Sequence, residues 1–232
     1  MRFDIENRAT LVRKKADHLP DILLSDIQIS HVIGQGGFGR VFLGTLQQTG
    51  EQFAIKSIRK DKLVHHRETI LTVNIEYQVL FEGNNPFLCS MQYYFSTDER
   101  LYFVMPLIAG GEMHKVLKHH TRFPSEDWVK FYIAQVVLGV SVLHESNIMH
   151  RDLKPGNLML DSDGYLKLID FGLATILRAG QKHYDGCGTP PYMAPEQIRI
   201  RDGYDFSADW WSVGIIAYEM MFGMTPFGNR RR

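Results

Sequence analysis

The stretch Gly34-Gln35-Gly36-Gly37-Phe38-Gly39 constrains the chain most, because of what comes after it. In a dinucleotide-binding fold the last glycine of such a stretch opens a helix, whose N-terminus meets pyrophosphate. Here Arg40-Val41-Phe42-Leu43-Gly44 follows, which has the texture of a strand. The stretch therefore reads as a hairpin whose bare backbone folds over phosphates, and a merely flexible glycine turn is the plain alternative.

The surrounding pattern extends this reading. From Ile27 to about Lys60, short apolar runs broken by glycines predict strands joined by tight turns. Residues 68–83 place Ile70, Val73, Tyr77 and Leu80 at spacings of three and four, which predicts one amphipathic helix. LCSMQYYF (88–95) and LYFVMPL (101–107) predict two more strands. Beyond Gly110-Gly111 the chain reads as helical. Ser125 before Glu126 and Asp127 supplies an N-cap and an acidic first turn for a helix running to about Glu145. Short strands follow around NLMLD and YLKLI, joined by the Asp163-Gly164 turn signal. The segment KHYDGCGTPPYMAPE (182–196) is too rich in turn-formers for a regular element, and a helix is expected over 210–221. Residues 1–25 read as a polar extension, helical around Leu11 and Val12. The fold class is α+β: a β-rich first lobe over 26–107 with one helix, and a mainly helical second lobe over 108–232, hinged near 105–111.

Several residues in this frame carry chemistry. Lys56 ends Phe53-Ala54-Ile55-Lys56 on a predicted strand. A lysine there is ordinarily an edge residue with its ammonium in water. Glu76 on the following helix offers the alternative, an ion pair that holds the ammonium where it can meet phosphate oxygens. The densest cluster is His150-Arg151-Asp152-Leu153-Lys154-Pro155-Gly156-Asn157, followed by Asp170-Phe171-Gly172. Asp152 can accept a proton from a nucleophilic hydroxyl, and Lys154 can steady a transferring phosphoryl group. Asn157 and Asp170 offer oxygen ligands to Mg²⁺, which favours oxygen and shares its shell with substrate phosphates. Other groups have blander readings. His65-His66 and His119-His120 read as solvated rather than metal-binding, Trp210 and Trp211 as helix core, and Cys187 as small packing. Arg8-Ala9-Thr10 with Arg13-Lys14-Lys15 reads as a solvated basic segment rather than an imitation of a substrate.

Composition excludes several classes. Lys plus Arg equals Asp plus Glu, 26 each, so the total charge points to no nucleic-acid surface. The polar start MRFDIENRATLVRKK has no apolar signal segment. The most apolar stretch, 210–224, is too short to span a bilayer and contains Glu219, so no membrane span is expected. Cys89 and Cys187, far apart, form no disulfide framework and fit a reducing, cytoplasmic setting.

The order of glycine loop, strand lysine, HRDLKPGN, Asp-Phe-Gly and Ala194-Pro195-Glu196 resembles the eukaryotic protein kinases. Within them PFL (86–88), LYFVM (101–105), GGEM (110–113), CGTPPYMAPE (187–196) and DWWSVG (209–214) resemble the AGC group, which contains the cyclic-nucleotide-dependent kinases. The resemblance covers about residues 26 to 228. It implies a bilobal kinase fold and ATP- and Mg²⁺-dependent transfer to protein hydroxyls, with Lys154 and Thr189 pointing to serine and threonine acceptors. By the same resemblance Gly34, Gly36, Gly37, Phe38 and Gly39 cover the phosphates, and Val41, Ala54 and Met159 enclose adenine. Met105 is the gatekeeper, Ile108 belongs to the hinge side of the nucleotide site, and Glu112 meets ribose. Lys56, Glu76, Asp152 and Lys154 are the catalytic set. Leu80, Met91, His150 and Phe171 stack as an apolar column anchored by Asp209.

The chain also departs from the family. Pro106 occupies a hinge position that is often Glu, but it keeps the carbonyl. Gly156 stands where many basophilic relatives carry Glu, which puts a basic-substrate preference in doubt. The sequence stops at Arg232, where the family usually continues with further helices. The competing reading is thus a kinase-fold scaffold left inactive by that shortening. A small-molecule kinase fits poorly, because it has no need of the segment ending in Ala194-Pro195-Glu196. Finally, Asp185 stands where activated relatives carry a phosphothreonine; the expectation is a pair between Asp185 and Arg151, and the plain alternative is a solvated aspartate with Thr175, Tyr184 or Thr189 as control sites. The physiological substrate and any regulatory subunit are not legible.

Overall fold

The computed structural model describes residues 13–14, 19–36, 39–64, 67–119 and 124–227. Leu11, Val12, the Arg8–Thr10 motif, Lys15, Gly37, Phe38, His65, His66 and His120 lie outside them, as do residues 228–232. The chain divides into two compact units. The first ends at Asn84 and resumes over Cys89–Ile108; the second comprises Asn85–Leu88 and the chain from Ala109 onward.

The first unit is built on a sheet. Its strands are β1 (Arg13–Lys14), β2 (Ile27–Gln35), β3 (Gly39–Leu46), β4 (Gln52–Arg59), β5 (Tyr93–Ser96) and β6 (Arg100–Pro106), in the order β1-β5-β6-β4-β3-β2. The ladders β2–β3, β3–β4, β4–β6 and β5–β6 are antiparallel; for β2–β3, β3–β4 and β5–β6 the short connections demand it. The central strands are the buried ones: Phe53, Ile55 and Ile58 of β4 and Phe103 and Val104 of β6 are fully covered. One face packs Ile22, Ile27, Leu46, Phe53, Ile55, Tyr93, Phe95 and Val104 together, with Leu19 and Leu24 against them. This part of the expected polar extension is therefore packed: Ile22 lies in the core and Arg13–Lys14 pairs with β5. The expected strand over 88–95 begins only at Tyr93. Leu88 belongs to the second unit, where it bridges Leu168 in parallel and the Leu168 N–H donates to the Phe87 carbonyl. Two helices complete the unit, α1 (Asp61–Val64) and α2 (Arg67–Glu82). The α2 spacing buries Val73, Tyr77 and Leu80 as expected, and it also buries Glu76.

The second unit carries α3 (Met113–His119) and α4 (Glu126–Glu145), then β7 (Ile148–Met149), β8 (Leu158–Leu160), β9 (Leu166–Leu168) and β10 (Thr175–Ile176). The segment 182–196, expected to hold no regular element, runs into α5 (Pro195–Ile198) at its last two residues, and α6 (Ser207–Phe222) follows. Ser125 caps α4 by accepting from the Trp128 N–H at 3.2 Å. Val129, Tyr132, Val136, Val140 and Leu143 form its buried stripe at helical spacing. Gln135 shares that stripe because it is fully used: it accepts from Leu166 N at 2.8 Å, at the start of β9, and donates to Phe131 O at 3.1 Å. β8 and β9 form the expected hairpin, with Gly164 at φ +83°. At the far end Gly223, left-handed at φ +69°, ends α6 by donating to Glu219 O at 2.8 Å. Trp211 is half-buried against a cluster of Met149, Leu177, Ala194, Tyr204 and Ala208, whereas Trp210 is exposed on α6 rather than buried as expected. Among the described residues no helix is long and apolar enough to cross a membrane.

Gly44 shows how tightly the first unit is packed. A Cβ there would lie 2.3 Å from Ile55 Cδ1 and 2.9 Å from Ile27 Cγ2. Gly44→Val should therefore cost about 1–3 kcal/mol by overpacking, seen as a lower urea midpoint for unfolding. An unchanged midpoint would show that this core has slack.

Candidate active site

Each unit holds its own set of the sequence-selected residues. In the first, Gly34 of β2 lies opposite Val41 of β3, and the Gly36 N–H donates to Gly39 O at 2.9 Å. Gly39 has to be glycine, since a Cβ would sit 2.4 Å from the Ser57 carbonyl oxygen on β4. Gly37 and Phe38, at the tip, fall outside the described residues. Val41 is registered against Lys56, and Ala54 against Met105 of β6; Ile108 follows β6, half-buried. Lys56 is not a solvated edge residue. It is buried, and its Nζ donates to Glu76 Oε1 on α2, itself buried. Met91 N donates to Leu80 O at 2.7 Å, and both side chains are buried.

In the second unit the site begins with a buried carboxylate. Asp209 of α6 accepts from His150 N at 2.9 Å and Arg151 N at 2.9 Å, and also meets His144 Nε2 at 2.8 Å. The chain at Arg151 needs that hold, because its φ is +67°, in a region costly for any side chain with a Cβ. His150 is fully buried with its ring 5.6 Å from that of Phe171, edge to face. Burial pushes the His150 imidazole below its ordinary range, with nearby Asp209, Asp152 and Asp170 opposing, so the ring is neutral. It accepts from Asp152 N at 3.3 Å through Nδ1.

This backbone aims Asp152 into a compact polar group. Its Oδ1 accepts from Thr189 Oγ1 at 2.6 Å, and its Oδ2 accepts from Lys154 Nζ at 2.7 Å. Lys154 Nζ also donates to Thr189 Oγ1 at 2.8 Å, closing a triangle. Asn157 Nδ2 donates to Asp152 O at 2.8 Å and to Asp152 Oδ2 at 3.2 Å, which leaves the amide oxygen as the side chain's lone-pair atom. Asp170 is exposed with φ +58°, and its Oδ1 accepts from Gly172 N at 3.4 Å. Met159 of β8 bridges Glu112, whose carboxylate accepts from Lys115 Nζ at 2.9 Å. Among the described residues no three His, Cys, Asp or Glu side chains gather as a metal cage. His119 is exposed.

The pair expected between Asp185 and Arg151 is absent. The Asp185 carboxylate is 67% exposed and lies 3.7 Å from His183 Nδ1. Tyr204 accounts for this: its hydroxyl donates to the Asp185 main-chain oxygen at 2.6 Å, fixing the backbone with the side chain outward. Arg151 instead donates through Nε to Leu173 O at 2.6 Å, and its Nη1 meets His183 Nε2 at 3.1 Å and Tyr204 OH at 3.4 Å. His183, Tyr204 and His144 were not singled out from sequence. Within the segment itself, Tyr192 donates to Glu219 Oε2 at 2.7 Å, and burial first, then that carboxylate, pushes its phenol upward.

The sequence pattern described as the protein kinase domain matches residues 27–232. The chain is 43% identical over 206 residues to the serine/threonine-protein kinase AtPK2/AtPK19 of Arabidopsis thaliana, covering 88% of this chain and 43% of that one. It is 38% identical over 209 residues to the RAC family serine/threonine-protein kinase homolog of Dictyostelium discoideum, covering 89% and 46%. Against ribosomal protein S6 kinase alpha-1 of Homo sapiens the figures are 40% over 212 residues, 90% and 28%. The chain thus spans less than half the length of each of these relatives. Because the match runs through both units and takes in every residue gathered around Asp152, the chain belongs to the protein kinase family, with relatives of the AGC serine/threonine type.

Proposed function

We propose that the chain transfers the γ-phosphoryl group of ATP to serine or threonine hydroxyls of proteins, within a reducing intracellular compartment. The observation that carries this reading is the Asp152–Lys154–Thr189 triangle. A carboxylate already accepting from a threonine hydroxyl at 2.6 Å is oriented to accept from a substrate hydroxyl of the same kind. The names of the relatives, serine/threonine kinases, support the acceptor class. Neither cysteine is in a disulfide, which supports the compartment.

In this mechanism Asp152 takes the hydroxyl proton as the oxygen attacks the γ-phosphorus in line and ADP leaves. Lys154, 2.7 Å from the same carboxylate, stays beside the reacting centre and offsets negative charge on the transferring group. Lys56, its direction set by Glu76, presents an ammonium to the nucleotide phosphates. On the family resemblance, the first unit offers adenine the apolar side chains of Val41, Ala54, Met105 and Ile108, and the second unit offers Met159 and, for ribose, the Glu112 carboxylate. The donors on Asn157 and Asp170 are an amide oxygen and a carboxylate, which suit Mg²⁺, and these two residues would hold it. When bound, the ion neutralises phosphate charge. Most of the rate gain in such a site comes from positioning and fixed charge rather than covalent chemistry.

Two outcomes test this reading. Asp170 is exposed, so Asp170→Asn should leave the melting transition within about 0.5 kcal/mol while lowering kcat about a hundredfold or more. Retained turnover would remove Asp170 from the site. Lys56→Met should be less clean, because it removes the ammonium that the buried Glu76 carboxylate binds, at a cost of about 3–5 kcal/mol. The double variant Lys56→Met/Glu76→Leu should regain most of that stability, read by thermal melting, yet remain inactive. Recovery of activity along with stability would make the pair structural only.

A further inference from the structure

We propose that His183 is a positioning residue for phosphoryl transfer: as a neutral imidazole it receives the Arg151 guanidinium and, with Tyr204, holds the segment 183–189 in place without a phosphate. This rests on the kinase reading above. Arg151 is only 8% exposed, and among the described residues no carboxylate pairs with it. A buried arginine is ordinarily matched by an anion. Here its side-chain partners are a carbonyl, an imidazole and a phenol. The phenol is neutral too, since burial, outweighing Arg151, leaves Tyr204 pushed up to about 12.

The same two residues fasten the segment to the rest of the unit. His183 N donates to Tyr204 O at 2.8 Å and Tyr204 N to His183 O at 2.9 Å, and the rings stack at 5.7 Å and 27°. The Tyr204 hydroxyl takes the Asp185 carbonyl. Gly203, at φ +65°, has no room for a side chain, because a Cβ would lie 2.8 Å from the Tyr184 ring. Four residues beyond Asp185, Thr189 binds Asp152. The two ends of the segment therefore dock on consecutive residues: His183 on Arg151, and Thr189 on Asp152.

The protonation state of His183 decides whether this docking holds. Three N–H donors meet the ring, from Arg151 Nη1 at 3.1 Å, Tyr184 N at 3.1 Å and Asp185 N at 3.3 Å. A neutral ring keeps one lone pair, and the cationic donor, Arg151, makes the strongest claim on it. An imidazolium has none and places a second cation against Arg151. The opposing group is the Asp185 carboxylate, farther away at 3.7 Å and mostly in water. Lys182 donates to Asp202 O, Asp205 has Lys182 as its cation, and Cys187 Sγ meets Tyr204 OH at 3.8 Å. Docking therefore belongs to the neutral ring and weakens as acid protonates it.

The test compares the phosphatase-treated protein with His183→Gln, which keeps a neutral acceptor at every pH, and His183→Lys, a fixed cation. kcat and the KM for ATP are measured at about pH 7.5 and about pH 5.5, one unit either side of the ordinary imidazole value. Amide hydrogen exchange of residues 183–189 is followed at both, corrected for intrinsic rates. Any acid loss common to all three proteins cancels in the comparison. Relative to His183→Gln, the wild type should lose up to about tenfold in kcat at the lower pH, with KM unchanged, and its segment should lose protection. His183→Lys should lack both activity and protection at either pH. Equal acid behaviour of wild type and His183→Gln, or normal protection in His183→Lys, overturns the proposal. Should the wild type show the pH-dependent protection but no turnover, the docking stands and the kinase reading falls.

Discussion

The Asp209 carboxylate is the contact on which the second unit's chemistry depends. It is buried on α6, and it accepts from the two consecutive main-chain N–H groups of His150 and Arg151 while meeting His144. A buried carboxylate left without donors would be prohibitive, so these contacts are obligatory rather than decorative. They keep Arg151 in a left-handed conformation that its own side chain disfavours. The turn so formed sends the Arg151 side chain to His183 and Tyr204, and the Asp152 side chain to Lys154 and Thr189. A change on α6 would thus reach the proposed reacting centre through the backbone, with no contact to substrate.

The first unit solves a comparable problem with a pair. Lys56 is drawn inside by a central strand and Glu76 by the buried face of α2, so each compensates the other's desolvation. In both units the polar groups are held by partners within the protein itself. Such preorganisation suits phosphoryl transfer, where the protein's task is to hold charge in the right place.

Much of this was legible because it follows from local rules. Alternating and three-four apolar spacing marked β2 to β4, α2 and α4, and Ser125 marked the start of α4. The residues around Asp152 were legible because their chemistry is packed into eight consecutive positions. Elements too short for any period were not: β1, β7 and β10 are two residues each, and α1 is four. Leu88 was misplaced because a single apolar residue can serve either unit, and only its bridge to Leu168 decides. Asp185 was misread for a subtler reason. Charge complementarity pointed its carboxylate at Arg151, but Tyr204, nineteen residues on, takes the main-chain oxygen instead. No sequence pattern tells which atom of a residue a distant tyrosine will bind.

The claim that Asp152 and its neighbours carry out phosphoryl transfer is tested most directly by following the label from γ-³²P-ATP. The protein and its Asp152→Asn variant would each be incubated with a mixture of serine-, threonine- and tyrosine-containing peptides, and the labelled amino acids identified. The account predicts label on serine and threonine with the wild type and none above background with Asp152→Asn. Label on tyrosine, label appearing only as free phosphate, or equal labelling by the variant would contradict it.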